Sequence, residues 1–469
     1  MRLLQFSTLD AAGGAARIAM DLHRGAREQG HLVRMVVKEG RSGDPDVYEL
    51  DSDLLRGRWA RACARLAERL TPLAGRGLGA TTVGSALRFA IGQPARWWRI
   101  RRGQEDFDYP GTLQATLLDG AWPDVVHCHN LHGSYFDLRA LPCIASHAPT
   151  VVTLHDEWTY TGHCAHALDC LGWTLGCGRC PDLTRWPAIA RDDTARNLRS
   201  KESIWKQSSV IVVTPSRWLL DRARRSVLAH AAAWSVAIPN GVDLSVFAPG
   251  DRLLARRALG IPDDAYVLLF VAHGGAANPY KDGATMEDAV RRIAARQPTG
   301  RRLLLLAVGG DPTRPVADLE HVTYVPYQSD QRALARYYRS ADVYLHAAHA
   351  DTFPTSVLEA LACGTPVVAT AVGGIPEQVR DGETGLLTPR GSPDAMASAA
   401  ARLLQDADLR HAMSCAAVAD ARARFGLRRM LGDYLSLYER AIEEFRSRAT
   451  AVPQYAFAAR ERSACGAKE

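Results

Sequence analysis

No window of this sequence reaches the roughly 18 uninterrupted apolar residues of a membrane-crossing helix. The opening, MRLLQFSTLD, runs from a β-rich stretch into a glycine loop and lacks the apolar core of a signal peptide. Both absences predict a cytoplasmic protein. Charge of one sign is also scarce: 57 Lys and Arg against 51 Asp and Glu leave a net +6 spread along 469 residues. So mild and dispersed an excess does not demand a polyanion, and nucleic acid is not an expected partner. No short-period repeat is visible. What is present is ordinary for a soluble globular chain, with 47% hydrophobic and 23% charged residues, which excludes disorder. The length exceeds what one hydrophobic core serves and predicts two domains.

Along the chain a short β-branched run, a polar or glycine-containing turn and a longer helical stretch alternate. RLLQFS is followed by GGAARIAMDLHRGAREQG, and VIVVTPS by RWLLDRARRS; DVVHCHN, TVVTLHD, YVLLFVA, RRLLLLAVGG, DVYLHAA and PVVAT are further runs. Continuous apolar strands alternating with helices predict an α/β fold with parallel sheets covered on both faces. Two such sheets fit the length. Pro239, Asn240, Gly241 and Pro249 punctuate AIPNGVDLSVFAPG and place the division there. The tail after Thr450 shows no clear period.

In open parallel sheets ligands bind beyond the carboxyl ends of the strands, so the loops that follow the strands are the functional candidates. Gly13 and Gly14 open a helix whose amides can meet a phosphate or a hydroxyl, and Gly373 and Gly374 repeat the device. Taken alone, either pair is equally a tight turn. DTFPTSVLEALACG is more specific. Asp351 ends a loop, Thr352, Phe353 and Thr355 supply backbone amides, and Pro354 suits a first helical turn. Glu359 then falls inside an apolar helix, where a buried carboxylate needs partners such as a diol.

The run DTFPTSVLEALACGTPVVATAVGGIPEQV resembles the acid-x7-acid signature and glycine loop of retaining glycosyltransferases of family 4, the two-Rossmann-domain GT-B type. PDVVHCHNLHG, TLHDEWTYTGHC, IPNGVDLSVFAP, NPYKDG, YQSDQRALARYYRSADVYLHAA and DGETGLL extend the resemblance from Met1 to about Glu444. It implies an acceptor domain over 1–235, a nucleotide-sugar domain over 236–425, a C-terminal helix over 426–449 packing back toward the first domain, and a tail over 450–469. Transfer of a sugar from a UDP- or GDP-linked donor, without a catalytic cofactor, is implied, the acceptor being a glycan or a polyprenyl-linked intermediate. By motif, Glu359 binds the ribose, Asp351 the transferred sugar, and Lys281 neutralises the diphosphate. Two departures stand out. Asp351 replaces the usual glutamate, and no arginine lies between Phe270 and Lys281, leaving His273, Asn278 or another basic residue as substitutes.

His129, at the end of the HxH pattern, resembles a residue of the family that touches donor sugar or acceptor. His155 is expected to orient the acceptor, with Asp156 fixing its tautomer. The alternative for each is a structural imidazole bonded to backbone. Cys164, Cys170, Cys177 and Cys180 cluster in CAHALDCLGWTLGCGRCP, and four close thiols in a cytosolic chain favour a structural zinc over disulfides, with His163 or His166 as replacement ligands. From Leu54 to Gly103, arginines mix with Trp, Leu and Phe at roughly helical spacing. Such a segment fits an anionic membrane surface, making the protein peripheral at the inner face, and equally fits an ordinary domain helix. Two other functions compete: a nucleotide-sugar epimerase or phosphorylase of the same architecture, and a zinc-stabilised RNA-binding module.

Overall fold

The computed structural model describes residues 1–70, 83–117, 120–272, 274, 278–296, 301–309 and 322–451. His273 and the tail from residue 452 onward lie outside the described residues, as do residues 71–82 of the arginine-rich segment.

Two parallel sheets organise the chain. The first takes β1 (Arg2–Leu9), β2 (Leu32–Glu39), β3 (Val47–Glu49), β4 (Val125–Cys128), β5 (Thr150–Thr153), β6 (Val210–Thr214) and β7 (Ala232–Ala237) in the order β3-β2-β1-β4-β5-β6-β7. The second takes β8 (Tyr266–Val271), β9 (Leu303–Val308), β10 (Val322–Val325), β11 (Val343–His346), β12 (Val367–Thr370) and β13 (Gly385–Thr388) in the order β10-β9-β8-β11-β12-β13. The continuous apolar runs are the central strands: every residue of β4, β5, β6, β9, β11 and β12 is buried, as helices on both faces require. In each sheet the strand order reverses beside the first strand, between β1 and β4 and between β8 and β11. A crevice opens at such a switch point.

Five helices matter for the site: α1 (Gly14–Glu28), α2 (Arg58–Leu70), α3 (Pro94–Arg101), α4 (Thr355–Cys363) and α5 (Leu427–Ala451). After β7 the chain passes to the second sheet, and it returns through a ladder in which Val242 N–H donates to Phe425 O and Leu427 N–H to Val242 O, both at 2.9 Å. Beyond that point α5 lies against the first sheet. Met430, Leu431, Tyr434, Leu437 and Tyr438 share one apolar cluster with Leu3, Ile18, Leu22, Val125 and Val151. No helix among the described residues is long and apolar enough to cross a membrane.

Candidate active site in the cleft between the sheets

The loop leaving β11 carries Asp351, and α4 starts four residues later. Its apolar side chains, Val357, Leu358 and Leu361, are fully buried, and Gly364 at φ 75° ends the helix in the left-handed conformation. Glu359, 2% exposed, is therefore carried into the protein by a helix that packs on either side of it. It needs donors there. The Tyr338 hydroxyl donates at 2.8 Å, and Arg17, from the first turns of α1 in the other half of the molecule, donates at 2.5 Å.

Lys281, in the loop after β8, meets Asp351 Oδ2 at 2.5 Å, and its Nζ lies 3.1 Å from His346 Nε2. Burial alone would raise the Asp351 pKa, but the Lys281 ammonium and the His346 imidazole outweigh it and hold the carboxyl well below the usual range. His346 is pushed down to about 4 by burial and by the same ammonium. At neutral pH Asp351 is thus a carboxylate and His346 a neutral imidazole.

A cavity of about 400 Å³ gathers these groups. Gly13, Gly14, Lys281, Asp351, Thr352, Phe353, Thr355 and Glu359 all line it. The Gly13–Gly14 turn brings the start of α1 to its wall, which also places Arg17 there. Gly373 and Gly374 have another task. An added Cβ would fall 1.8 Å from Asp351 O at Gly373 and 1.9 Å from Thr352 O at Gly374, so the glycine pair lets its loop lie directly under the backbone that presents Asp351.

The histidines are arranged differently from the expectation. His129 is fully buried behind His155, its Nδ1 3.0 Å from His155 Nε2, and it does not line the cavity, whereas His155 does. Behind His129 stands His127, bonded to Tyr438 and Thr153 at 2.6 and 2.7 Å. Burial keeps all three neutral, His127 at about 3 and His155 at about 4. Asp156 holds not His155 but His132, Oδ2 to Nε2 at 2.7 Å, and accepts from Trp158 N–H at 2.9 Å.

Cys164, Cys170, Cys177 and Cys180 are free thiols. Among the described residues no three His, Cys, Asp or Glu side chains are arranged to hold a metal ion, so the expected four-thiolate set is not assembled at coordination distance. Their loop is ordered by other means. Trp173 is buried against Tyr160 and under Arg222, Cys170 Sγ accepts from Gly172 N–H, and Cys180 Sγ sits 3.3 Å from His163 Nε2. Ala165 and His166 line the cavity, His166 edge-on to Tyr280, while Asp169 pairs with Arg390 of the second half at 2.5 Å. The loop is a wall of the cleft.

Sequence reasoning missed Arg17, Tyr338, His346 and the His132–Asp156 pair. Arg17 carried a signal, since it stands in the first turns of a helix that opens on the crevice. Asn278 lines the cavity, but the guanidinium brought to it is Arg17, from the other domain.

A family model described as Glycosyltransferase Family 4 matches residues 12–246, and one described as Glycosyl transferases group 1 matches residues 251–419. A D-inositol 3-phosphate glycosyltransferase of Kribbella flavida is 40% identical over 216 residues, 43% of this chain; the chain spans 50% of that relative's length. The candidate colanic acid biosynthesis glycosyl transferase WcaC of Escherichia coli K12 is 27% identical over 79% of this chain and 83% of its own. Sucrose-phosphate synthase from Thermosynechococcus elongatus superposes with a TM-score of 0.60 at 20% identity, covering 94% of this chain and 99% of its own. Anabaena HepE in complex with UDP and glucose does so at 0.58 and 15%, covering 94% and 100%. The two-sheet architecture is that of the GT-B fold, and the chain belongs to glycosyltransferase family 4.

Proposed function

We propose that this protein is a retaining hexosyltransferase that moves a sugar from a nucleoside-diphosphate sugar to a lipid-linked or surface-polysaccharide acceptor. The observation that carries the reading is the convergence of Lys281, Asp351, Glu359 and Arg17 at one interdomain cavity, with His346 buried behind Lys281 and Asp351. Breaking the bond between sugar and phosphate places negative charge on the leaving diphosphate, and a fixed ammonium stabilises that charge more in the transition state than in the ground state. Asp351, kept ionised, accepts from hydroxyls of the transferred sugar. Glu359 receives the ribose diol in place of its present donors. The acceptor oxygen bonds to the anomeric carbon on the face the phosphate leaves, and the departing phosphate takes the acceptor proton, so no strong base is required. The HepE protein, of the same fold, is bound to UDP and glucose, and WcaC is named for a surface polysaccharide.

A lipid-linked acceptor is supported by one surface. The helices α2, Ala86–Ile91 and α3 pack together, and they leave Trp59 65% exposed, Trp98 49% and Ile91 49%, beside Trp97, Leu66 and Ile100. Arg101 and Arg102 lie over the Trp97 and Trp98 rings. A cationic and aromatic face of this kind matches an anionic lipid surface. Arg96 is not part of it, being 7% exposed and paired with Asp106.

Structural zinc on Cys164, Cys170, Cys177 and Cys180 requires these thiols to move together from their present positions. About one zinc per chain after purification without added metal would show it. For the function itself, the test is turnover with nucleoside-diphosphate sugars: Glu359→Ala should weaken donor binding, whereas Lys281→Ala should slow transfer. Wild-type behaviour of both variants contradicts the assignment.

A further inference from the structure

Two helix starts from opposite halves meet at the donor cavity. An added Cβ at Gly14 would lie 3.7 Å from Thr355 Oγ1, so the first turn of α1 stands against the first turn of α4. Neither start carries a side-chain cap, and the two helices bring their positive dipole ends together there. Among the described residues that line the cavity, Arg17 and Lys281 alone carry a permanent positive charge. Each is held by a carboxylate, Lys281 by Asp351 and Arg17 by Glu359.

We infer that Arg17 is a catalytic cation contributed by the first half: when a nucleoside-diphosphate sugar enters, the ribose diol replaces the guanidinium on Glu359, and the guanidinium passes to the diphosphate. The inference rests on the glycosyl-transfer reading above and deepens it. Glu359 Oε1 is held by Arg17 and Oε2 by Tyr338. Tyr338 is fully buried in the core of the second half, whereas the Arg17 side chain is 20% exposed and lines the cavity. The group released into the cavity is therefore Arg17. A guanidinium that loses its carboxylate in a partly buried site needs another anion, and the same ligand delivers one.

The direction of the side chain favours this exchange. Arg17 follows closely on the start of α1, and helical side chains lean toward the N-terminus, here toward the uncapped amides where an anion is stabilised. Asp21, one turn further along α1, is another carboxyl beside Arg17, but burial pushes its pKa up to about 7, so it takes up only part of that charge. In the transfer step the acceptor oxygen bonds to the anomeric carbon, and the bond from that carbon to the phosphate oxygen breaks. Its electron pair leaves with the diphosphate, which also takes the acceptor proton. Arg17 and Lys281 share the negative charge that accumulates on the leaving group.

The test is a double-mutant cycle on the full chain, read as affinity for UDP and GDP by titration calorimetry. For whichever diphosphate the wild type binds, Arg17→Gln should weaken binding on the order of tenfold to a hundredfold, the scale of hydrogen bonds to a charged group. The loss should be at least as large in a Glu359→Gln background, where no carboxylate competes for the guanidinium. Arg17→Lys keeps the charge without the forked geometry. It should show a smaller loss in both backgrounds, and it gives the same reading if the glutamine variant does not fold. Arg17 substitutions that weaken binding only while Glu359 is present would make Arg17 a support for Glu359, and substitutions that leave affinity unchanged would remove it from the donor site. Either result overturns this inference alone. A wild type that binds neither diphosphate would overturn the glycosyl-transfer reading and this inference with it.

Discussion

The two halves of the molecule build their cavities in different ways. The donor side is local: Asp351, Thr352, Phe353, Thr355 and Glu359 come from one loop and the first turns of one helix, completed by Lys281 from the loop after β8 and His346 at the end of the neighbouring β11. The first half assembles its cavity from segments as far apart as Leu50 and Ala190, with carboxylates and arginines consumed in holding those segments together. A charged, preorganised site stabilises charge that develops in a reaction. The halves are tied where chemistry must cross: Arg17 to Glu359, Thr352 Oγ1 to the His155 carbonyl at 2.8 Å, and Glu377 to the amides of Arg217 and Trp218 at 2.8 and 2.7 Å.

The largest effect that separates the halves is expected at Lys281. Lys281→Ala should cost on the order of a hundredfold or more in kcat, while donor affinity by thermal shift changes less. Equal losses in both would make Lys281 a binding residue only.

On the other half, vesicle binding should depend on acidic lipid and weaken with salt. Replacing Arg99, Arg101 and Arg102 with glutamine removes three cations worth about 1 kcal/mol each near such a surface, so binding should fall roughly a hundredfold. Co-sedimentation that is unchanged, or absent in the wild type, leaves these as ordinary solvated arginines.

Gly374→Ala should destabilise the donor half by about 1–3 kcal/mol, because the new methyl group must displace the Thr352 carbonyl. Denaturant unfolding measures it. The accompanying shift of Asp351 should weaken donor binding more than acceptor binding.

The last effect is shared by both halves. His127 at about 3, and His155 and His346 at about 4, are held below the ordinary imidazole value of about 6.5, so the unfolded chain binds more protons between those limits. Stability should therefore fall as pH drops from about 6.5 toward 4, seen as a declining melting temperature. A flat profile would mean these rings are protonated in the folded protein.

How much of this the sequence showed follows from the same contrast. Apolar runs long enough to be buried on both faces made the parallel sheets legible, and the donor loop was legible because its residues are neighbours in the chain. His132–Asp156 was not, since the two lie on successive strand ends and the choice between His132 and His155 as partner depends on packing. His129 followed the HxH pattern yet lies one layer deeper than His155. The cysteine cluster was legible in the chain, whereas its place in a wall held by Trp173, Tyr160 and Arg222 depends on packing. Arg96 turns inward because Asp106, ten residues on, pairs with it, a contact the arginine spacing does not show.

The central claim is that the cleft between the sheets holds a nucleoside-diphosphate sugar through Glu359 and Lys281. A thermal-shift screen of UDP- and GDP-sugars tests it most directly, since a ligand at 100 times its dissociation constant adds about 2.7 kcal/mol to stability. The account predicts a shift with at least one donor in the wild type and its loss in Glu359→Ala. A wild type unmoved by every donor, or a Glu359→Ala variant shifted as much as the wild type, would contradict it.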